Sequence, residues 1–167
     1  HDRVEIVLLN LMAQDAPQPK VTSTVGNAAD LSTYRDDAFD VVVSNSVIEH
    51  LPTPELQARM SAEVRRVGRR VYLQTPNRYF PLEPHFLFPF FGVLPMRLRA
   101  FLLQHMDLGW HKRQPDPAAA MEDVRSVRLM TGSELRRLFP DARFENERFL
   151  VFTKSFIVLD GWDLAEA

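Results

Sequence analysis

Apolar residues come along this chain in two rhythms, and the change from one to the other sets out its elements. Residues 4–9 (Val-Glu-Ile-Val-Leu-Leu), 21–25, 39–43 and 70–74 are short runs rich in β-branched and aliphatic side chains. That is the length and composition of β-strands. Between the last two, Leu56, Met60, Val64 and Val67 recur at spacings of four, four and three, the stripe of a helix packed on one face. Thr53 is a good N-cap, Pro54 falls at the first helical position, Glu55 suits the positive end of the dipole, and Gly68 is placed to end the helix. Arg59, Arg65, Arg66, Arg69 and Arg70 mark its solvated face and exit.

The run at 39–43 is apolar except for Asp40, as expected of a strand buried on both faces of a parallel sheet. Ser44, Asn45 and Ser46 then break the pattern. A buried strand opening into small polar residues is how an open α/β sheet forms a ligand crevice at the carboxyl ends of its strands.

Residues 14–20 read as a loop with two prolines. Seven of the twelve prolines fall between Pro76 and Pro117, amid dense aromatic residues. Proline lacks a ladder donor, so this stretch is not sheet, yet its aromatic side chains require burial. The expectation is a mobile cover over residues 78–110, with helices at 96–105 and 116–124. The run at 84–95 could instead line an apolar pocket, rest on a membrane surface or bury against a second copy. A helix starts at Thr131 or Ser133 and stops before Pro140. Residues 143–150 and 152–159 are strands whose short connection requires an antiparallel pair.

The length of 167 residues suits one domain. A net charge of −2 provides no field for nucleic acid or an anionic membrane. Absence of cysteine excludes disulfides, zinc–thiolate sites and cysteine nucleophiles, and fits a cytoplasmic protein. No signal peptide is expected from the opening His-Asp-Arg-Val-Glu, and no apolar run approaches the roughly 20 residues of a membrane span.

The string Phe-Asp-Val-Val-Val-Ser-Asn-Ser-Val-Ile-Glu-His at 39–50 resembles the fourth strand of class I S-adenosylmethionine-dependent methyltransferases, where Phe-Asp-Val-Val leads into Ser-x-x-Val-Leu-Glu-His-Leu. The element order resembles that fold from its second strand to its seventh. The resemblance implies a Rossmann-like doubly wound α/β sheet, mostly parallel with an antiparallel C-terminal edge. It implies a single, partial domain over residues 1–167, with a lid-like insertion at about 78–130. The family's first strand and glycine-rich loop have no counterpart, since no two of the six glycines lie within five residues. By the resemblance that strand and its helix precede His1.

The same resemblance implies site residues. Asn10, with Leu11 after it, stands where the family holds the cofactor ribose, usually with an acid. Asn27 and Ala28 stand where it holds adenine, through a side-chain acceptor and a backbone N–H. Ser44, Asn45 and Ser46 line the crevice near the sulfonium. His50 is either a general base or a structural residue of its turn. Past the fifth strand of the family, Asn77, Arg78, Tyr79, Glu83 and His85 face the substrate side, with Phe86 and Phe90 as further contacts. His50, His85, His105 and His111 have spacings that match no familiar ligand pattern, so no metal is expected. The implied function is methyl transfer from S-adenosylmethionine to a small-molecule or lipid-like acceptor, with a homodimer left open. The alternative is a non-catalytic binding or interaction module on the same fold. A nicotinamide oxidoreductase would want a glycine fingerprint, which is absent.

Overall fold

A computed structural model describes residues 4–16, 18 and 20–162. Pro17 and Pro19 of the expected loop lie outside the described residues. The strands are β1 (Ile6–Asn10), β2 (Val21–Val25), β3 (Val42–Asn45), β4 (Val71–Pro76), β5 (Arg143–Phe149) and β6 (Phe152–Asp160). The helices are α1 (Pro54–Val67), α2 (Met96–His105), α3 (Pro117–Arg125) and α4 (Gly132–Leu138), with 3₁₀ turns at Ile48–His50 and Phe91–Val93.

β1 and β2 pair in parallel, and β3 pairs in parallel with β4. β6 runs antiparallel between β4 and β5, giving the order β3-β4-β6-β5. The antiparallel pair expected at the C-terminal end is therefore the edge of the larger sheet. No described strand joins the two sheets. Residues of β1 (Leu8, Leu9) and β3 (Val43, Ser44) instead line one apolar groove.

Two expectations for the strand at 39–43 are corrected. It begins at Val42 and runs through Ser44 and Asn45. Phe39 pairs only with Gly68 at the end of α1, through a single bridge. Nor is it buried on both faces, since Val43 is 68% exposed. Its side chain faces the groove, which no described element covers.

α1 forms as its apolar stripe requires. Thr53 caps it by accepting from the Leu56 N–H at 3.2 Å. Met60, Val64 and Val67 are buried with Ile48, Leu73, Leu135, Phe139 and Val158 in the main core, each such side chain contributing about 1.5–3 kcal/mol. Gly68 ends the helix in extended backbone. Its need is space: a Cβ there would lie 2.6 Å from Val42 Cγ2.

Residues 78–130 carry a second core of their own. Phe86, Phe91, Ala100, Leu103, Leu108, Ala120 and Val124 bury together between α2 and α3. α3 is capped by Asp116. The two ends of the segment meet, with the Arg78 N–H donating to the Met130 carbonyl at 3.1 Å. Thr131, rather than Ser133, caps α4 in a reciprocal capping box with Glu134.

Candidate functional site

The groove between the sheets is lined by Leu8 and Leu9 of β1, Ala28 after β2 and Val42 to Ser44 of β3. Asn10 closes β1 half-buried, and its carbonyl accepts from the Gly26 N–H at 2.9 Å. That bond brings the turn after β2 beside the end of β1. Leu11 projects outward, 77% exposed. Asn27 is exposed, and its Oδ1 accepts from the Ala29 N–H at 2.9 Å, so the side chain shapes its own turn. Ala28 lines the groove. So does Ser44, which is 5% exposed and whose Oγ has no hydrogen-bond partner. Asn45 is exposed. Ser46 adopts a φ of +52°, and its hydroxyl and N–H both engage Gln74, each at 3.0 Å. The crevice expected from this tripeptide is thus presented mainly by Ser44.

A second group of polar side chains gathers where the chain leaves β3 and β4. Glu49, in the turn Ile48–His50, is fully buried. Thr75 at the end of β4 donates to its Oε2 at 2.8 Å, while Oε1 has no partner. The turn is fixed from outside by buried Gln57, whose Nε2 donates to the Ile48 carbonyl at 3.0 Å and the Arg128 carbonyl at 2.9 Å. The Arg128 N–H donates to the Glu49 carbonyl at 2.7 Å. His50 is exposed, and its ring stands 5.0 Å from that of His85 at 85°.

His85 is held by Glu83, which is itself buried. Glu83 Oε1 lies 2.7 Å from His85 Nδ1, and Oε2 accepts from the His85 and Phe86 N–H groups at 2.9 and 2.6 Å. The hydrogen bond to the Glu83 carboxylate raises the His85 pKa above its ordinary value, against the opposing effect of burial, and the charge of Glu49 adds to it. Of the four histidines compared in the sequence, two meet here. His105 is hydrogen-bonded to the Phe101 carbonyl on α2, and His111 stacks on Phe86. Ligand-capable atoms of Glu49, His50 and His85 lie within 4.8 Å of one another. Spacing did not reveal this group. Its legible signal is position: a Glu-His pair and a Glu-Pro-His stretch each follow one of two adjacent parallel strands.

Two expected substrate contacts are corrected. Phe86 is 2% exposed and stacked between Phe91 and His111, both at 4.3 Å, so it belongs to the insertion's core. Asn77 is spent on structure: its Nδ2 donates to the Thr153 carbonyl at 2.8 Å and its Oδ1 accepts from the Tyr79 N–H at 3.1 Å. Arg78 lines a separate cavity with Arg99, Arg125 and Arg128. Tyr79 and Phe90 are exposed, Phe90 with a φ of +55°.

Residues 5–71 match the family model of a methyltransferase domain. That stretch holds Asn10, Asn27, Ala28 and Ser44 to Ser46. An uncharacterized protein of Mycobacterium tuberculosis, from strains CDC 1551 / Oshkosh and H37Rv, is 40% identical over 61 residues. The match covers 36% of this chain and 21% of that protein. Among solved structures, a SAM-dependent methyltransferase of Methanosarcina mazei is similar with a TM-score of 0.50 and 19% identity, covering 84% of this chain and 66% of that one. A protein of Pyrococcus horikoshii OT3 gives 0.51 and 18%, covering 93% and 70%. At these identities the structural likeness is one of fold.

Proposed function

We propose that the protein is an S-adenosylmethionine-dependent methyltransferase of class I acting on a small-molecule or lipid-like acceptor, a reading supported by the methyltransferase-domain match over residues 5–71 and by the likeness of fold. One observation carries the reading. Within the matched residues, Leu8 and Leu9 of β1, Ala28 after β2 and Val43 and Ser44 of β3 line one groove, and it contains a buried hydroxyl, Ser44 Oγ, with no partner. An orphaned buried hydroxyl costs on the order of 1–3 kcal/mol, and a polar group of a bound ligand would satisfy it. Asn10 can both donate to and accept from a ribose diol, without charge. Ala28 offers its backbone at the groove wall. When bound, the cofactor supplies a methyl group activated by a positively charged sulfur.

Transfer of such a group depends mainly on alignment, so the chain's task is to bind, orient and shield. The loops after β3 and β4 hold the acceptor side, with His50 and His85 toward it and Glu49 buried behind them. Residues 78–130 serve as the cover, and exposed Tyr79 and Phe90 are its acceptor contacts. A net charge of −2 accords with a small-molecule rather than a nucleic-acid partner, and the absence of cysteine fits a cytoplasmic protein. Among the described residues no helix is long and apolar enough to cross a membrane.

A second reading, a binding module without catalysis, is favoured by Asn10 and Asn27, where the family usually carries acids. Calorimetry with S-adenosylhomocysteine on the untagged full-length protein tests both. Micromolar binding, weakened severalfold by Ser44→Ala and Asn10→Leu in folded variants, supports the cofactor site. No binding by a folded full-length protein overturns it.

A further inference from the structure

Glu49 presents an unusual arrangement for a structural carboxylate. The side chain is fully buried, yet only Oε2 is satisfied, by Thr75. Oε1 is buried with no hydrogen-bond partner. A buried acceptor of this kind normally has a partner, and the exceptions call for an explanation. Two imidazoles, of His50 and His85, stand near this carboxylate. Glu83 accepts from backbone N–H groups through Oε2 and faces His85 Nδ1 through Oε1. With Nδ1 donating to that carboxylate, His85 keeps the lone pair of Nε2. A buried carboxylate that fixes the tautomer and aim of a histidine is the usual support behind a metal-ligating imidazole. His50 brings the second ring to within 5.0 Å, nearly perpendicular.

We propose that Glu49, His50 and His85 bind a divalent transition-metal ion, with Glu83 as the positioning residue behind His85. The ligand atoms already lie within 4.8 Å of one another. Zinc–nitrogen and zinc–oxygen bonds of about 2.0–2.2 Å place ligands roughly 3.4 Å apart, so closure requires side-chain movements on the order of 1 Å. Two imidazoles with one carboxylate suit Zn²⁺, Fe²⁺ or Mn²⁺, whereas Mg²⁺ and Ca²⁺ favour oxygen ligands alone. Three protein ligands leave coordination positions open. The three residues sit in the segments that follow β3 and β4, which form the acceptor side under the function proposed above. The ion would there bind an acceptor oxygen or hydroxyl and hold it in place. Only that last consequence rests on the methyltransferase reading; binding of the ion does not.

The test uses untagged full-length protein stripped with a chelator and titrated with Zn²⁺ alone by calorimetry, without S-adenosylmethionine. The expected result is one ion per chain with micromolar or tighter affinity. His50→Gln, at an exposed position, should weaken binding at least tenfold without disturbing the fold. Glu83→Gln, which touches no ion, should cost about 10–100-fold. His105→Gln, on α2, should change nothing. Failure of Zn²⁺ to bind at tens of micromolar, or binding unaltered by His50→Gln and His85→Gln together, overturns the site. Calorimetry with S-adenosylhomocysteine is scored separately, so failure of the metal site and failure of the methyltransferase reading are told apart.

Discussion

Replacing Gln57 by leucine should destabilise the protein by about 2 kcal/mol, and the figure follows from what each bond partner retains. Gln57 is fully buried in α1. Leucine is close to it in volume, so the exchange removes polar contacts without opening a cavity. The Arg128 carbonyl loses the Nε2–H that reaches it at 2.9 Å, and an orphaned acceptor costs about 1–3 kcal/mol. The Ile48 carbonyl loses a donor at 3.0 Å but keeps the Leu51 N–H at 3.2 Å, so its share is small. The Arg128 guanidinium loses Gln57 Oε1 but keeps Glu134 at 2.5 Å and is a quarter exposed, so water replaces the rest. With a urea slope of roughly 2 kcal/mol per molar, the unfolding midpoint should fall by about 1 M at unchanged slope. Gln104→Leu is the control. Its amide meets only the Ala100 carbonyl within α2, and its effect should stay within about 0.5 kcal/mol. Equal midpoints for the two variants would refute the assignment of Gln57 as the pin between the Glu49 turn and the end of the insertion.

Acid should act through Glu63, which accepts from Arg66 and from the Leu31 N–H at 2.6 Å. The Arg66 hydrogen bond holds its carboxyl below the ordinary value of 4.5. A folded pKa lower than the unfolded one stabilises above the unfolded value and loses that contribution as pH falls through the folded one. Urea stability should therefore drop more steeply from about pH 5 to pH 3 in the native protein than in Glu63→Gln; parallel profiles would exclude the linkage. Gly68→Ala should cost about 1–3 kcal/mol, because the new Cβ meets Val42 Cγ2 at 2.6 Å and the Val64 carbonyl at 3.0 Å. Gly26→Ala meets only the end of the Leu9 side chain and should cost less. Thermal unfolding that ranks the two the other way would contradict the close-approach account.

How much of this was legible in the sequence depended on how local its cause was. The helix at 96–105 and the Thr53 cap were readable because the determining residues lie within a turn of one another, and the same proximity narrowed the cap of α4 to Thr131 or Ser133. The start of β3 was not. Phe39 has the composition of a strand residue, but its neighbour is the end of α1, and pairing is decided by the neighbour. The exposure of Val43 was hidden for the same reason, since burial belongs to whatever packs above a residue. His85 and Phe86 are adjacent yet have opposite fates, one at the polar cluster and one in the insertion's core. An aromatic run states that burial is needed and not which side chains receive it. The meeting of Glu49 with His85 needed two loops to be brought together by parallel strands, which no spacing encodes.

The hydrogen bond between Arg78 and Met130 makes the intervening segment a cassette. Its entrance and exit are neighbours, and its helices bury their apolar faces against each other rather than against the sheet. A loop whose ends already touch can change in length at little entropic cost. Evolution, or an engineer, could thus exchange the whole stretch without altering the register of β4 and β6. The exchange would carry His85 and Glu83 away and leave Glu49 and His50 behind. Descendants of one scaffold could in this way differ in chemistry at the mouth of the crevice while sharing an identical floor.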